Sequence, residues 1–233
     1  YTTLFRSIFV VRLLAGDVPV RRVPPIAVHA LAGAELLLLC KPGAADNDGL
    51  PRLRPIGMPE ILRKLAAAAL AGTVRTAAAR LLSPLQMGVG VPNPCERVVH
   101  EVSATLEHDP SAALLQLDFR NAFNLVSLPA AVAFVSRAFP LLCPYLDSVY
   151  RGGAPPRVYG WAPDAEPAGA PAGPLQRLWL GVERGVQQGD PLGPLLHAAA
   201  MHLAVQRVAE AHPAAVVRAV HDDVVVVAPH ADL

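Results

Sequence analysis

The chain has 233 residues, 53% of them hydrophobic and 17% charged, with 20 Lys and Arg against 19 Asp and Glu. That much apolar material at a net charge of +1 excludes an intrinsically disordered chain, which needs low hydrophobicity and high net charge. Three cysteines (Cys40, Cys95 and Cys143) spaced 55 and 48 residues apart speak against a disulfide framework and a CxxC zinc site, and fit a reducing compartment.

The length predicts one large domain or two small ones. The start at Tyr1 rather than Met, with no signal-peptide pattern, predicts a chain truncated at its beginning. A membrane helix needs ~18 uninterrupted apolar residues; no run reaches this, and the nearest, Asn121 to Ser136, is broken by Asn124 and Pro129. Forty alanines and a basic set of 18 Arg against 2 Lys are what GC-rich coding produces, so single alanines and surface arginines carry little information. A surviving Lys or aromatic carries more. Residues 1–101 have a net charge of +5 and residues 102–233 one of −4, a split suited to a phosphate-facing basic surface beside a cation-collecting acidic one.

In chain order, Arg21-Arg22 and Pro24-Pro25 punctuate a mixed opening stretch. Ala34 to Cys40 and Arg52 to Ile56 read as two strands joined by the Asp-, Asn- and Gly-rich turn Ala44 to Pro51. The alanine- and leucine-rich stretch Glu60 to Leu82 reads as a helix with a break at Gly72. A loop over Gly88 to Pro94 leads to a second helix, Cys95 to Glu107. Ala112 to Phe119 is a strand containing an aspartate near its end, and Ser127 to Phe139 a helix with Pro129 in its first turn. Gly152 to Pro174, dense in Pro, Gly and Ala, is either irregular or a weak hairpin around Arg157 to Trp161. Pro194 to Ala211 is a helix apolar on most faces, and Ala214 to Val220 with Val224 to Ala228 form a tight hairpin with His221-Asp222-Asp223 at its tip. Strands and helices without strict βαβ alternation predict an α+β fold.

Three separated segments carry the chemistry. They are Leu117-Asp118-Phe119-Arg120-Asn121-Ala122-Phe123-Asn124, then Gly185-Val186-Gln187-Gln188-Gly189-Asp190-Pro191-Leu192-Gly193-Pro194, then Val220-His221-Asp222-Asp223-Val224. An aspartate at a strand end and an aspartate pair on a hairpin tip converge if their strands are neighbours. Clustered carboxylates repel one another unless a divalent cation neutralises them, and hard oxygen donors select Mg²⁺ or Mn²⁺ over zinc. Two such ions about 3.5–4 Å apart activate a hydroxyl and stabilise in-line displacement at phosphate.

These segments resemble the reverse transcriptase family, most closely the domain of non-LTR retrotransposons. Asp118 to Asn124 resembles its first palm motif, Gly185 to Pro194 its GxxQGdPLgP motif, and Asp222-Asp223 its paired aspartates. Arg54-Pro55-Ile56 resembles the fingers RPI motif, Lys41-Pro42 the basic position before it, and Gln86 to Gly90 with Glu96 the approach to the palm. The likeness runs from about residue 36 to residue 228.

The resemblance implies a polymerase right hand: fingers over 1–110 and a partial palm over 111–233, with 151–180 an irregular insertion and the thumb absent. A small antiparallel sheet would carry Asp118 and the aspartate hairpin, backed by helices. It implies RNA-templated DNA synthesis with Mg²⁺ (or Mn²⁺), and as partners an RNA template, a DNA primer and deoxynucleoside triphosphates. No membrane is implied, and the location is intracellular, nuclear or cytoplasmic. Asp118 and Asp222 would ligate both metals, with Asp223 in support and the carbonyl of Phe119 a further ligand. Asn121, Ala122, Lys41 and Arg54 would meet the triphosphate. Phe123 would be the steric gate against a 2′-hydroxyl, with plain core packing as the other reading. Gln188 and Gly189 would lie under the nascent base pair and the template.

Two departures stand out. Val220 replaces the usual aromatic two residues before the aspartate pair, and His221 stands where a small or apolar residue is usual. With only ten residues after Asp223, no thumb, RNase H or endonuclease region is expected in this stretch. Two other classes stay open: an inactive retroelement fragment that at most binds nucleic acid, and an RNA-dependent RNA polymerase, against which Phe123 and Gln188-Gly189 argue.

Overall fold

The computed structural model describes residues 12, 32–45, 51–151, 157–163, 175–181 and 184–230. In chain order its elements are β1 (Ala34–Ala45), β2 (Pro51–Pro59), α1 (Ile61–Leu82), α2 (Pro94–His108), β3 (Ala112–Asp118), α3 (Ala122–Leu125), α4 (Leu128–Ala138), α5 (Cys143–Val149), β4 (Arg157–Pro163), β5 (Leu175–Gly181), α6 (Gly193–Ala211), β6 (Val216–Val220) and β7 (Asp223–Pro229). The fold is α+β. The Arg21-Arg22 and Pro24-Pro25 punctuation and the centre of the Ala44 to Pro51 turn lie outside the described residues.

The chain divides into two compact units. One comprises residues 1–67, 141–183 and 187–190, the other residues 68–140, 184–186 and 191–233. These cuts differ from the fingers and palm limits read at residues 110 and 111: α2 falls in the unit that holds β3, and segment 141–183 in the unit that holds β1.

In the first unit, β1 and β2 pair antiparallel from Ala34 opposite Pro59 to Cys40 opposite Leu53, and the register then shifts. β4 adds to β1 in parallel, Ala34 opposite Val158, and β5 closes the order β2-β1-β4-β5. The stretch 151–180 therefore contains a hairpin: β4 and β5 pair from Arg157 opposite Gly181 to Pro163 opposite Leu175. The irregular reading is corrected. Val158, Tyr159 and Trp161 are strand formers that outweigh the flanking Pro and Gly once β1 offers an edge. Helix α5, with Pro144 in its first turn, buries Tyr145, Leu146 and Val149; no sequence pattern flagged it.

Helix α1 starts where the Glu60 carboxylate accepts from the N–H groups of Leu62 and Arg63 at 2.8 and 3.2 Å, supplying partners to two orphan donors. It runs unbroken through Gly72, against the expected break. One glycine costs about 1 kcal/mol relative to alanine, too little to interrupt so alanine-rich a run. Among the described residues α1, not Asn121 to Ser136, is the helix long and apolar enough to cross a membrane by length and composition alone. It nevertheless carries Arg63, Lys64, Arg75 and Arg80, and Arg63 is fully buried within protein.

The second unit is built on the sheet β3-β7-β6. The β-branched run Val224 to Val227 makes β7 the central strand, buried on both faces over Val226 to Ala228. Cross-strand partners share a face. Val217 with Val226, and Ala219 with Val224, form one such face and pack on Met201 and Val205 of α6. Arg218, of the opposite parity, forms an ion pair through two guanidinium nitrogens with Glu101 of α2. Helix α4 is capped by Ser127, whose hydroxyl accepts from the Ala130 N–H, and packs against α6.

Candidate active site

The sheet register sets the aspartates. The β3–β7 ladder runs from Ala112 opposite Pro229 to Asp118 opposite Asp223, and the β6–β7 ladder ends with Val220 opposite Asp223. Two segments distant in sequence, β3 and the β6–β7 hairpin, thus meet at one sheet end, with Asp118 and Asp223 as direct cross-strand neighbours. Such Cα atoms are about 4.5–5.5 Å apart. Asp222 belongs to the two-residue turn His221-Asp222 that joins β6 to β7. Asp118 is thus opposed to the second aspartate of the pair rather than the first. Asp118 and Asp223 are exposed and Asp222 half-buried.

The turn is unusual in its first residue. His221 has φ +57°, and positive φ at the first of two hairpin-turn residues is the pattern normally filled by glycine. A non-glycine residue in such a region costs of order 1–3 kcal/mol.

Phe123 lies in α3, a single turn begun by Asn121 at φ +53°. Asn121 and Phe119 are exposed, Ala122 is buried and Phe123 half-buried. The α3 turn is bound to the start of the second motif: the N–H of Val186 donates to the Phe123 carbonyl at 2.7 Å, and that of Gly185 to Val126 at 2.9 Å. Gly185 has φ +75°, and a Cβ there would stand 2.4 Å from the Asn124 carbonyl carbon, so only glycine fits. The Phe123 ring stacks on His197 of α6, centroids 4.0 Å apart and planes within 7°. His221 stands 6.0 Å from Phe123 and 6.2 Å from His197. His197 is fully buried, and among the described residues neither ring nitrogen has a hydrogen-bond partner. Burial, followed by the nearby His221, lowers its pKa to about 4, with Asp222 pulling the other way. At neutral pH it is an uncharged aromatic plate behind Phe123.

The remaining expected site residues fall in the first unit. Arg54 is exposed on β2, opposite Leu39 of β1, and Lys41 lies in β1 just after the regular pairing ends. The Gln188 carbonyl accepts from the Gly57 N–H at 2.8 Å. Gly189 has φ +115°, and a Cβ on it would lie 2.2 Å from the Gly57 carbonyl oxygen. The missing side chain thus allows close backbone approach to the RPI strand.

Beside this loop lies a group that sequence reading missed. Arg63 and Asp190 are fully buried and paired at 2.7 Å. The Asp190 carboxylate also accepts from the hydroxyls of Tyr145 at 3.0 Å and Tyr150 at 2.6 Å. Arg63 donates further to Gln187 Oε1 at 2.8 Å and to the Ala32 carbonyl at 2.7 Å. Burial alone would lower the Arg63 pKa; Asp190, then Tyr145 and Tyr150, turn the net shift upward. Burial first and Asp190 second push both tyrosines above their ordinary range. An ion pair this well supplied with donors holds the Gln187 to Asp190 loop in place. Its sequence signal was slight: two of the four tyrosines lie in a chain that is only 5% aromatic.

The donors expected at the aspartate tip, the carboxylates and the Phe119 carbonyl, are all hard oxygens. Among the described residues no group of three or more His, Cys, Asp or Glu side chains is placed to hold a metal ion, so the expected gathering of Asp118, Asp222 and Asp223 into one three-carboxylate metal site is not seen. Mg²⁺ is ordinarily held by one or two carboxylates plus waters and substrate phosphates rather than by an all-protein cage.

No family model matches the chain. A curated relative is a retrotransposable element SLACS 132 kDa protein from Trypanosoma brucei gambiense, 29% identical over 216 residues. The match covers 87% of this chain but 15% of that protein. Among solved structures, telomerase from Candida albicans with a fragment of telomeric RNA superposes with a TM-score of 0.59 at 13% identity, covering 90% of this chain and 40% of that one. Telomerase from Candida tropicalis, also with a telomeric RNA fragment, gives 0.57 at 10% identity, over 87% and 37%. The chain is thus similar in sequence to part of a retrotransposable element protein, and over most of its length it shares the fold of these telomerase structures.

Proposed function

We propose that this domain carries out RNA-templated DNA synthesis by nucleotidyl transfer, as part of a longer retroelement protein. The observation that carries the reading is the register that sets Asp118 beside Asp223 at the hairpin tip. Asp118, Asp222 and Asp223, with the Phe119 carbonyl, would hold Mg²⁺. When bound, the ion supplies a metal-activated 3′-hydroxyl and charge neutralisation at phosphate. Backbone N–H groups around Asn121 and Ala122 would meet the triphosphate oxygens, as oriented amides do for anions. Arg54 would add its planar fork and Lys41 a point charge. Phe123, stiffened by the His197 plate, would deny space to a 2′-hydroxyl, which favours deoxynucleotides and speaks against RNA synthesis. Gln188 and Gly189 would lie beneath the template base.

In the full natural chain bearing this domain, Asp222→Asn is expected to abolish extension of a DNA primer on an RNA template with dNTPs and Mg²⁺. Extension at the wild-type rate would refute the assignment. Salt-dependent binding of an RNA–DNA hybrid with no incorporation by the wild-type chain would favour the non-enzymatic reading instead.

A further inference from the structure

The hairpin tip is strained at His221, and one buried side chain holds it. Gln86 is fully buried. Its Oε1 accepts from the His221 N–H at 2.8 Å, and its Nε2 donates to the His221 carbonyl at 2.9 Å. A single amide thereby satisfies both backbone groups of the residue that has positive φ. The same Oε1 accepts from the Gly88 N–H at 3.0 Å, so the amide is itself fixed in orientation. The segment is docked to the sheet by backbone: the Met87 N–H donates to the Ala219 carbonyl, and the Ala219 N–H to that of Leu85, both at 2.7 Å. This makes Gln86 a parallel bridge partner of Ala219, two residues before His221. Gly88 completes the fit: a Cβ there would stand 2.8 Å from the His221 nitrogen and 2.9 Å from its Cδ2.

A side-chain amide that pairs with one residue through both donor and acceptor copies a strand neighbour, but at a turn where no strand could follow. Turns of this hand ordinarily rely on glycine. Here a histidine occupies the position, and Gln86 compensates from outside the hairpin. Asp222 and Asp223 are the next two residues, so an error in the His221 backbone is passed directly to their carboxylates.

We propose that Gln86 is a positioning residue for the Asp222-Asp223 tip, setting the carboxylates for catalysis without touching substrate. The proposal rests on the nucleotidyl-transfer reading for its kinetic consequence, but not for its structural one. Gln86→Met keeps the side-chain length and removes both hydrogen bonds to His221 together with the one from Gly88; Gln86→Glu keeps the acceptor and removes the donor.

In the full natural chain, Gln86→Met is expected to lower kcat for primer extension about tenfold to a hundredfold, the scale of a misplaced reacting group. The dNTP KM should stay within about threefold, because binding common to ground and transition states is untouched. Gln86→Glu should fall between Met and wild type. Independently of activity, amide hydrogen exchange should speed up at His221 in Gln86→Met by about tenfold or more, while Val224 and Val226 in the sheet keep their protection. A wild-type kcat in Gln86→Met, a loss confined to KM, or loss of protection across the whole sheet would each overturn the proposal. If the wild-type chain itself extends no primer, the exchange result at His221 against Val224 and Val226 still decides whether Gln86 holds the tip.

Discussion

Two groups of acidic residues in this chain have opposite surroundings. Asp190 is fully buried and receives a guanidinium and two tyrosine hydroxyls. Asp118 and Asp223 are exposed at the end of a sheet, side by side, with no hydrogen-bond donor supplied to either carboxylate among the described residues. Charge that serves structure is neutralised within the protein. Charge that is proposed to serve chemistry is left facing outward, where a cation and an anionic substrate could complete it. Both carboxylate types occur in motifs that the resemblance groups together, and only their environments separate them.

The contrast breaks most sharply if the buried pair is disrupted. Arg63→Met strands the Asp190 carboxylate and is expected to cost about 3–5 kcal/mol of stability. Asp118→Asn, at an exposed position, should change stability by less than about 0.5 kcal/mol. Urea unfolding of the two variants measures the difference; equal costs would mean that Asp190 is not the structural carboxylate. Adding Asp190→Leu to Arg63→Met should recover part of the loss, since an apolar replacement leaves no charge stranded.

A smaller effect is expected at the gate. Phe123→Val should raise incorporation of rNTP relative to dNTP by about tenfold or more, on the scale that a pocket contact contributes to discrimination. An unchanged ratio would return Phe123 to plain packing.

The smallest effect is a pH dependence from His197, whose folded pKa of about 4 lies below its ordinary value of about 6.5. A histidine lowered in the folded state binds fewer protons there than in the unfolded chain between those values. Its stabilising contribution is therefore present above pH 6.5 and lost as pH falls towards 4, at up to about 1.4 kcal/mol per unit. His202 is lowered by burial, and His221 by burial against the opposing pull of Asp222 and Asp223, so both add in the same direction. His197→Phe keeps a ring against Phe123 and should flatten the slope of Tm between pH 6.5 and 4.5. An unaltered slope would show that His197 titrates alike in the folded and unfolded chain, and that burial does not lower its pKa.

Much of the aspartate sheet was legible because its signals are local. The β-branched run Val224 to Val227 and the acidic turn before it define a hairpin without reference to the rest of the chain. Strand β3 was legible for the same reason, and the ordered motifs suggested its neighbour. Strand β5 and helix α5 were not, because their stability comes from β4 and from the buried Tyr145 and Leu146, contacts no short window contains. Burial of Arg63 was invisible for a related reason. Arginine on an alanine-rich helix is ordinarily exposed, and its partner Asp190 lies 127 residues away. Gln86 lies in the segment that resembles the approach to a palm, yet its proposed role depends on a contact 135 residues distant.

The central claim is that Asp118 and the Asp222-Asp223 tip act as one site in nucleotidyl transfer, and the kinetics of a double-variant cycle test it most directly. Single-turnover primer extension on RNA would be measured for wild type, Asp118→Asn, Asp222→Asn and the double variant. Members of one catalytic unit are grossly non-additive, so the double variant should be about as slow as either single one. Losses that multiply, or a single variant that extends at the wild-type rate, would contradict the account.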